Sequence, residues 1–298
     1  IVDQSYNLGA RVFYLTGGEP FVHKNIKGIL SYILNDFEDT SVVVLTNGTL
    51  LDKYKDFINT LPLHRLYFQI SADGTGSIND KTRGKGSYDK LLKNLEVIKD
   101  INVSKTLSMT VHNENLSELN KIVDLAAKYN FISVHFMWLI LTGSAKPEIF
   151  ADPDLIFEHL ENTFEYAEEK NIKIDNLKNF ESLIFSAPGT KYDLGNSGWR
   201  SVAVGPDKNI YPTAAMIGRT ELICGSFEEG LEKVWKESEV LNKIRNTSVK
   251  DSKTYNSPLK YITGGGDIDH SYFCKGEFEG FDPYLKLYEN IILWLINS

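Results

Sequence analysis

Between Arg11 and Leu141 the chain alternates short apolar runs with stretches of helical periodicity. That alternation constrains it more than any other feature, because it is the pattern of βα units wrapped around a parallel sheet. The first run, Arg11-Val12-Phe13-Tyr14-Leu15, ends in Thr16-Gly17-Gly18-Glu19-Pro20 and precedes an amphipathic stretch from Ile26 to Phe37. The second, Ser41 to Leu45, ends in Thr46-Asn47-Gly48 and predicts a helix near Lys53 to Asn59. The third, Arg65 to Ile70, ends in Ser71-Ala72-Asp73-Gly74, and its helix carries Leu91, Leu92, Leu95 and Ile98 on one face. A fourth run spans Lys105 to Val111, with Leu116, Leu119, Ile122, Val123 and Ala126 at helical spacing behind it, and a fifth spans Ser133 to Leu141. The runs lack strict alternation, which predicts strands covered on both faces.

The opening residues Val2 to Gly9 read as the end of a helix stopped by glycine, and the first residue is Ile1 rather than methionine. The expectation is a gene product that starts upstream, with one more βα unit before Ile1 completing a six-unit partial barrel. No signal peptide is visible. From about Lys146 the pattern changes to a long helical segment, Asp154 to Lys170, then glycine-rich strand-and-turn sequence, then helices at Glu228 to Ile244 and Pro283 to Ile296. The expected division is 1–145 and 146–298, without a flexible linker to mark it.

Composition narrows the function classes. A formal charge of -8 and a pI near 5.4 give no attraction to phosphate backbones or anionic lipid, so nucleic acid is not an expected partner. No apolar run approaches the length needed to span a bilayer, so no membrane partner is expected either. Two cysteines, Cys224 and Cys274, stand 49 residues apart. They cannot build a disulfide framework or a four-cysteine metal site, and read as reduced thiols in a cytoplasmic protein.

Ligands of parallel α/β sheets sit at the carboxyl ends of the strands, and here those ends are polar and glycine-rich. Paired glycines let backbone approach a ligand, and their carbonyls, with Glu19, can accept hydrogen bonds from an ammonium group. Taken in order, Gly17-Gly18-Glu19-Pro20, Thr46-Asn47-Gly48, Ser71-Ala72-Asp73-Gly74 and Lys81-Thr82-Arg83-Gly84-Lys85-Gly86-Ser87-Tyr88 resemble the strand ends of the radical S-adenosylmethionine (radical SAM) superfamily, in its peptide- and protein-modifying branch. The resemblance implies an α/β fold: a partial (β/α)6 TIM-like barrel lacking its first βα unit.

It also implies roles. Gly17, Gly18 and Glu19 would receive the SAM ammonium, with Pro20 fixing the turn. Ser71 would hydrogen-bond the SAM carboxylate or ribose, and Arg83 would neutralise a carboxylate through its fork of donors. Asn47 is a further candidate, although Asn-Gly is also a common turn dipeptide, and Asp73 could instead cap its own turn. The catalytic 4Fe-4S cluster of such enzymes is held by a Cys-x3-Cys-x2-Cys loop that this chain lacks, so its ligands are expected upstream of Ile1 and no metal ligand is assigned here.

In the second half, Trp199 to Pro212 resembles the strand-turn-strand that opens a SPASM domain, the auxiliary-cluster module, so an α+β SPASM-like extension is expected. Where such domains carry cysteines, this chain has Thr213, Thr254, Ser257 and Thr263, ahead of Gly264-Gly265-Gly266. Neutral hydroxyls are poor iron ligands. Asp267, Asp269 and His270 could bind a divalent metal or act as acid and base, or could be an Asp-rich turn capped by its own side chains. The function implied is a radical SAM enzyme that modifies a peptide or protein, or matures a cofactor. The alternative is a non-catalytic, cluster-less relative that binds peptides.

Overall fold

The computed structural model describes residues 1–143, 145–250 and 256–298. A short helix, α1 (Val2–Asn7), opens the chain and is followed by Gly9 at φ +98°, the expected glycine stop. Then come β1 (Val12–Leu15), α2 (Ile26–Asp36), β2 (Ser41–Thr46), α3 (Lys55–Ile58), β3 (Leu66–Ser71), α4 (Ser77–Arg83), α5 (Ser87–Ile98), β4 (Ser104–Val111), α6 (Leu119–Lys128), β5 (Ser133–Trp138), α7 (Pro153–Glu169) and β6 (Lys173–Ile174). The six strands pair in chain order and all in parallel. Sequential pairing with helical crossovers brings every carboxyl end to one edge of the sheet.

The five expected strands are present, and a sixth, β6, follows α7. Two residues carry no readable apolar run; β6 forms because Ser133 and Val134 offer it a parallel edge. Burial also departs from expectation. In β2 and β3 every second side chain is fully buried, and those between are only half-buried. The buried face, with Val42, Val44, Leu66, Phe68, Ile70, Leu107, Met109, Val134 and Phe136, is apolar. The other face carries Gln69, Ser71, Thr106 and Ser108, and Gln69 Nε2 donates to Ser108 Oγ at 3.0 Å. Only one face of the sheet is therefore a closed core. Helices contribute Leu30, Ile33 and Leu34 from α2, Leu91 and Leu95 from α5, and Ile122 and Val123 from α6. Each such aliphatic side chain stabilises by about 1.5–3 kcal/mol on burial.

The chain divides into two compact units: a sheet unit, 10–139 with 149–178, and a second unit, 1–9, 140–148 and 179–298. This differs from a cut at 145/146, because α7 packs on α6 and β6 extends the sheet. In the second unit, α8 (Asp175–Ile184) lies across the boundary, and β7 (Ala203–Val204), β8 (Asn209–Tyr211) and β9 (Gly225–Ser226) form an antiparallel sheet. The β7–β8 hairpin is the expected strand-turn-strand, and Asp207 holds its turn by accepting from Asn209 N at 3.1 Å and the Tyr211 hydroxyl at 2.6 Å.

The helical remainder is α9 (Leu231–Glu237), α10 (Glu239–Asn246), α11 (Lys260–Thr263), α12 (Ile268–Lys275) and α13 (Leu285–Asn297). The single helix expected over Glu228 to Ile244 is broken at Ser238, whose side chain caps α10 by accepting from Leu241 N. No helix among the described residues is long and apolar enough to cross a membrane.

Candidate functional site at the carboxyl ends of the strands

The tips of β1 and β2 are stitched together by one carboxylate. Glu19 Oε1 accepts from Thr46 Oγ1 at 2.8 Å and from Phe21 N at 3.1 Å, and Oε2 accepts from Asn47 N at 2.8 Å. Glu19 thus caps the short turn begun by buried Pro20 and crosses to the neighbouring strand end. Both of its oxygens already accept from protein donors. Gly17 and Gly18 remain exposed in front of it, and a Cβ at either would meet nothing within 4 Å. Gly17 has φ +139°, a conformation glycine alone adopts cheaply.

Asn47 turns its Oδ1 on Thr49, accepting from Thr49 N at 2.9 Å and from its hydroxyl at 2.7 Å. With Ser71 and Arg83 it lines a cavity of about 230 Å³, to which Thr49, Ser87 and Lys90 also contribute. Sequence reasoning missed Thr49 and Lys90. Lys90 sits on the first turns of α5, where a cation reads as an ordinary solvated helix face.

Asp73 is not a cap of its own turn. It is 2% exposed, accepts from Thr110 N at 3.0 Å across to β4, and pairs with Arg83 Nε at 2.8 Å. Arg83 is thereby aimed by a buried partner rather than left as a solvated loop cation. Around them further carboxylates hold the loops. Asp80 accepts from Gly86 N, Tyr88 N and the Ser87 hydroxyl, which keeps its carboxyl below the usual range, led by the Tyr88 and Gly86 bonds. Glu118 accepts from Thr75 N and Oγ1 and pairs with Lys121 at 2.7 Å; burial opposes ionisation, yet these bonds together leave its pKa lowered. Asn115 ties Asp73 O to Thr110 O through its amide, at 3.1 and 2.8 Å. At the end of β4, burial lowers the His112 pKa and favours neutral imidazole.

Cations Arg83 and Lys90, hydroxyls from Thr49, Ser71 and Ser87, and an open diglycine tip next along the sheet suit a small zwitterion. No cysteine occurs within 10–139 or 149–178, so these residues do not fit an iron–sulfur cluster.

In the second unit, Asp267 accepts from Asp269 N at 2.7 Å and His270 N at 3.4 Å as the N-cap of α12, so the turn reading of this group holds. No group of three or more His, Cys, Asp or Glu that could hold a metal ion occurs among the described residues. Thr213 and Thr263 are buried, and Ser257 is bonded to Glu289. Thr254 lies outside the described residues.

Residues 1–126 match the model of the Radical SAM superfamily. The chain is 29% identical over 225 residues to the antilisterial bacteriocin subtilosin biosynthesis protein AlbA of Bacillus subtilis, covering 71% of this chain and 46% of AlbA. It is 23% identical over 306 residues to the AdoMet-dependent heme synthase of Methanosarcina barkeri, covering 95% and 84%. This chain thus spans about half the length of AlbA and most of the heme synthase. Among solved structures, native anSMEcpe with bound AdoMet and Kp18Cys peptide superposes with a TM-score of 0.79 at 16% identity, covering 99% of this chain and 86% of that one. At that identity the likeness establishes the fold: a TIM-like parallel barrel followed by a SPASM-like extension.

Proposed function

We propose that this chain, whose residues 1–126 match the Radical SAM superfamily, binds the amino-acid end of SAM at its strand tips, in an enzyme that uses SAM and a 4Fe-4S cluster to modify a peptide. The single observation that carries this reading is the convergence of Asn47, Ser71 and Arg83 on one cavity, next to the diglycine tip that Glu19 binds to Asn47. SAM would supply a deoxyadenosyl group, a carboxylate and an ammonium. Backbone carbonyls at Gly17 and Gly18 would accept from the ammonium, while Glu19 holds that backbone in place. Arg83, oriented by Asp73, would pair with the carboxylate, and the Ser71 hydroxyl would donate to it or to the ribose. Pro20 keeps the turn rigid behind the glycines, and Asn47 shapes the rim through its bond to Thr49. The barrel residues offer iron no thiolate.

The names of AlbA and of the peptide-bound anSMEcpe complex favour a peptide substrate. The heme synthase, matched along almost the whole chain, favours a second reading in which the product is a tetrapyrrole cofactor. Both readings share the SAM site. Titration of SAM by calorimetry tests it: binding that weakens at least tenfold in Arg83→Met is expected, and equal affinity in the two proteins would remove the assignment. Crosslinking to a ribosomally made precursor peptide against binding of an iron porphyrin then separates the two substrate classes.

A further inference from the structure

Of the positions that resemble auxiliary-cluster cysteines, Thr213 and Ser257 are already bonded to protein. Thr213 Oγ1 donates to Asp269 Oδ1 at 2.5 Å and accepts from Met216 N at 3.2 Å. The Ser257 hydroxyl donates to Glu289 and accepts from Leu259 N at 3.2 Å. Thr263 is wholly buried on α11. Neither thiol of the chain compensates. Cys224 packs with Ile210, Leu231, Val234 and Leu241, and burial raises it to about 11, so the thiolate that iron needs is the disfavoured form. Cys274 is exposed on α12, and one thiolate cannot anchor a cluster.

A connected set of hydroxyls, carboxylates and backbone groups joins four segments of this unit. Besides the Thr213–Asp269 bond, Asp267 N donates to Asp282 Oδ2 at 2.8 Å, and Asp282 Oδ1 accepts from Tyr284 N at 2.8 Å. His270 Nδ1 lies 3.2 Å from the Tyr288 hydroxyl and 3.7 Å from Asp282 Oδ2. Asp193 Oδ1 accepts from Gly195 N at 2.8 Å and Ile268 N at 3.4 Å, and its backbone N donates to Gly264 O at 2.9 Å. The triple glycine serves this packing: at Gly266, φ +112°, a Cβ would stand 2.6 Å from Asp282 Cβ.

We infer that the second unit takes up no auxiliary iron–sulfur cluster, and that the Thr213–Asp269 bond with the Asp193, Asp267, Asp282 and His270 network supplies the cross-links such a cluster would otherwise make. The inference concerns this unit alone and stands whether or not the strand tips bind SAM. Its electrostatics agree: burial, with the nearby Asp267 charge second, pushes both Asp193 and Asp269 up to about 7. Carboxyls that burial biases towards the neutral form, beside neutral hydroxyls, suit a site built without a cation.

The test has two arms on the 298-residue chain. In the first, anaerobic reconstitution with iron and sulfide is followed by gel filtration, iron and acid-labile sulfide analysis, and visible absorption. The expected result is neither iron nor sulfide retained and a thermal midpoint unmoved by chelator. Retained iron and sulfide that are lost in Cys274→Ser would overturn the inference. In the second arm, Thr213→Val, Asp269→Asn and the double variant are unfolded in urea. Coupling is expected, the double variant being no less stable than the worse single one; strictly additive losses would remove the cross-linking role. Should a variant fail to fold, the iron analysis of the unaltered chain still decides whether a cluster is taken up.

Discussion

The two units use buried acids in opposite ways. In the sheet unit each carboxylate is surrounded by donors: Glu19 by a hydroxyl and two backbone N–H groups, Asp73 by Thr110 N and Arg83, Asp80 and Glu118 by loop amides and hydroxyls. Donors outnumber neighbouring acids there, and the shifted carboxyls Asp80, Glu114 and Glu118 all move down. In the second unit Asp193 and Asp269 are buried near Asp267, and both move up to about 7. A carboxylate with enough donors is a rigid, charged staple for loops; one packed against other acids stores a proton instead. The first arrangement suits an edge that must present fixed groups to a charged ligand, the second an interior tied together without one.

The sharpest way to break this contrast is at Asp73. Asp73→Ala leaves Thr110 N without its acceptor and Arg83 without its ion-pair partner, and a loss of about 3 kcal/mol in urea unfolding is expected, as for a buried pair broken from one side. A loss within 0.5 kcal/mol, roughly the effect of an ordinary surface change, would show that the staple is ornamental. Next comes Glu19→Ala, expected to cost about 1 to 3 kcal/mol of stability for a half-buried acceptor removed from three donors, and to weaken SAM binding alongside. If SAM affinity fell with stability untouched, Glu19 would be a ligand contact and not a clamp. Ser71→Ala removes one neutral hydrogen bond, so about 1 kcal/mol, or roughly fivefold in SAM affinity, is expected with the melting curve unchanged.

The smallest effect at any single pH is a slope, and it separates the units by sign. Asp193 and Asp269 are pushed up to about 7 in the folded state, well above the ordinary carboxyl range, so the folded chain binds protons that the unfolded chain has released. Their contribution to stability is full below about pH 4 and is lost as pH rises towards 7. Asp80 and Glu118 are lowered, so their contribution is full above their ordinary values and is lost as pH falls through the folded ones. Hydrogen exchange resolved by peptide between pH 5 and 7 should show protection in the second unit declining with pH, with Asp193→Asn flattening the trend. A parallel response in both units would refute the division.

Much of the strand-tip edge was legible in advance. Gly17, Asn47 and Ser71 could be placed at strand ends because apolar runs and helical spacing are local signals, and parallel pairing then brings those ends together. The hairpin over Trp199 to Pro212 was legible for the same reason, its turn being written in Gly205-Pro206-Asp207. Lys90 and Thr49 were not, because nothing local separates a lining residue from a solvated one. Nor was β6, a two-residue strand that exists only because β5 offers it an edge.

Sequence alone determined the order of elements, the glycine stops and the polar character of the strand ends, since each depends on neighbours along the chain. Tertiary structure decided what the acids do. Glu19 reaches Asn47, Asp73 reaches Thr110, and Asp269 reaches Thr213 across 28, 37 and 56 positions. Whether a carboxylate finds donors or other carboxylates at that distance is set by packing, and packing also sets its charge.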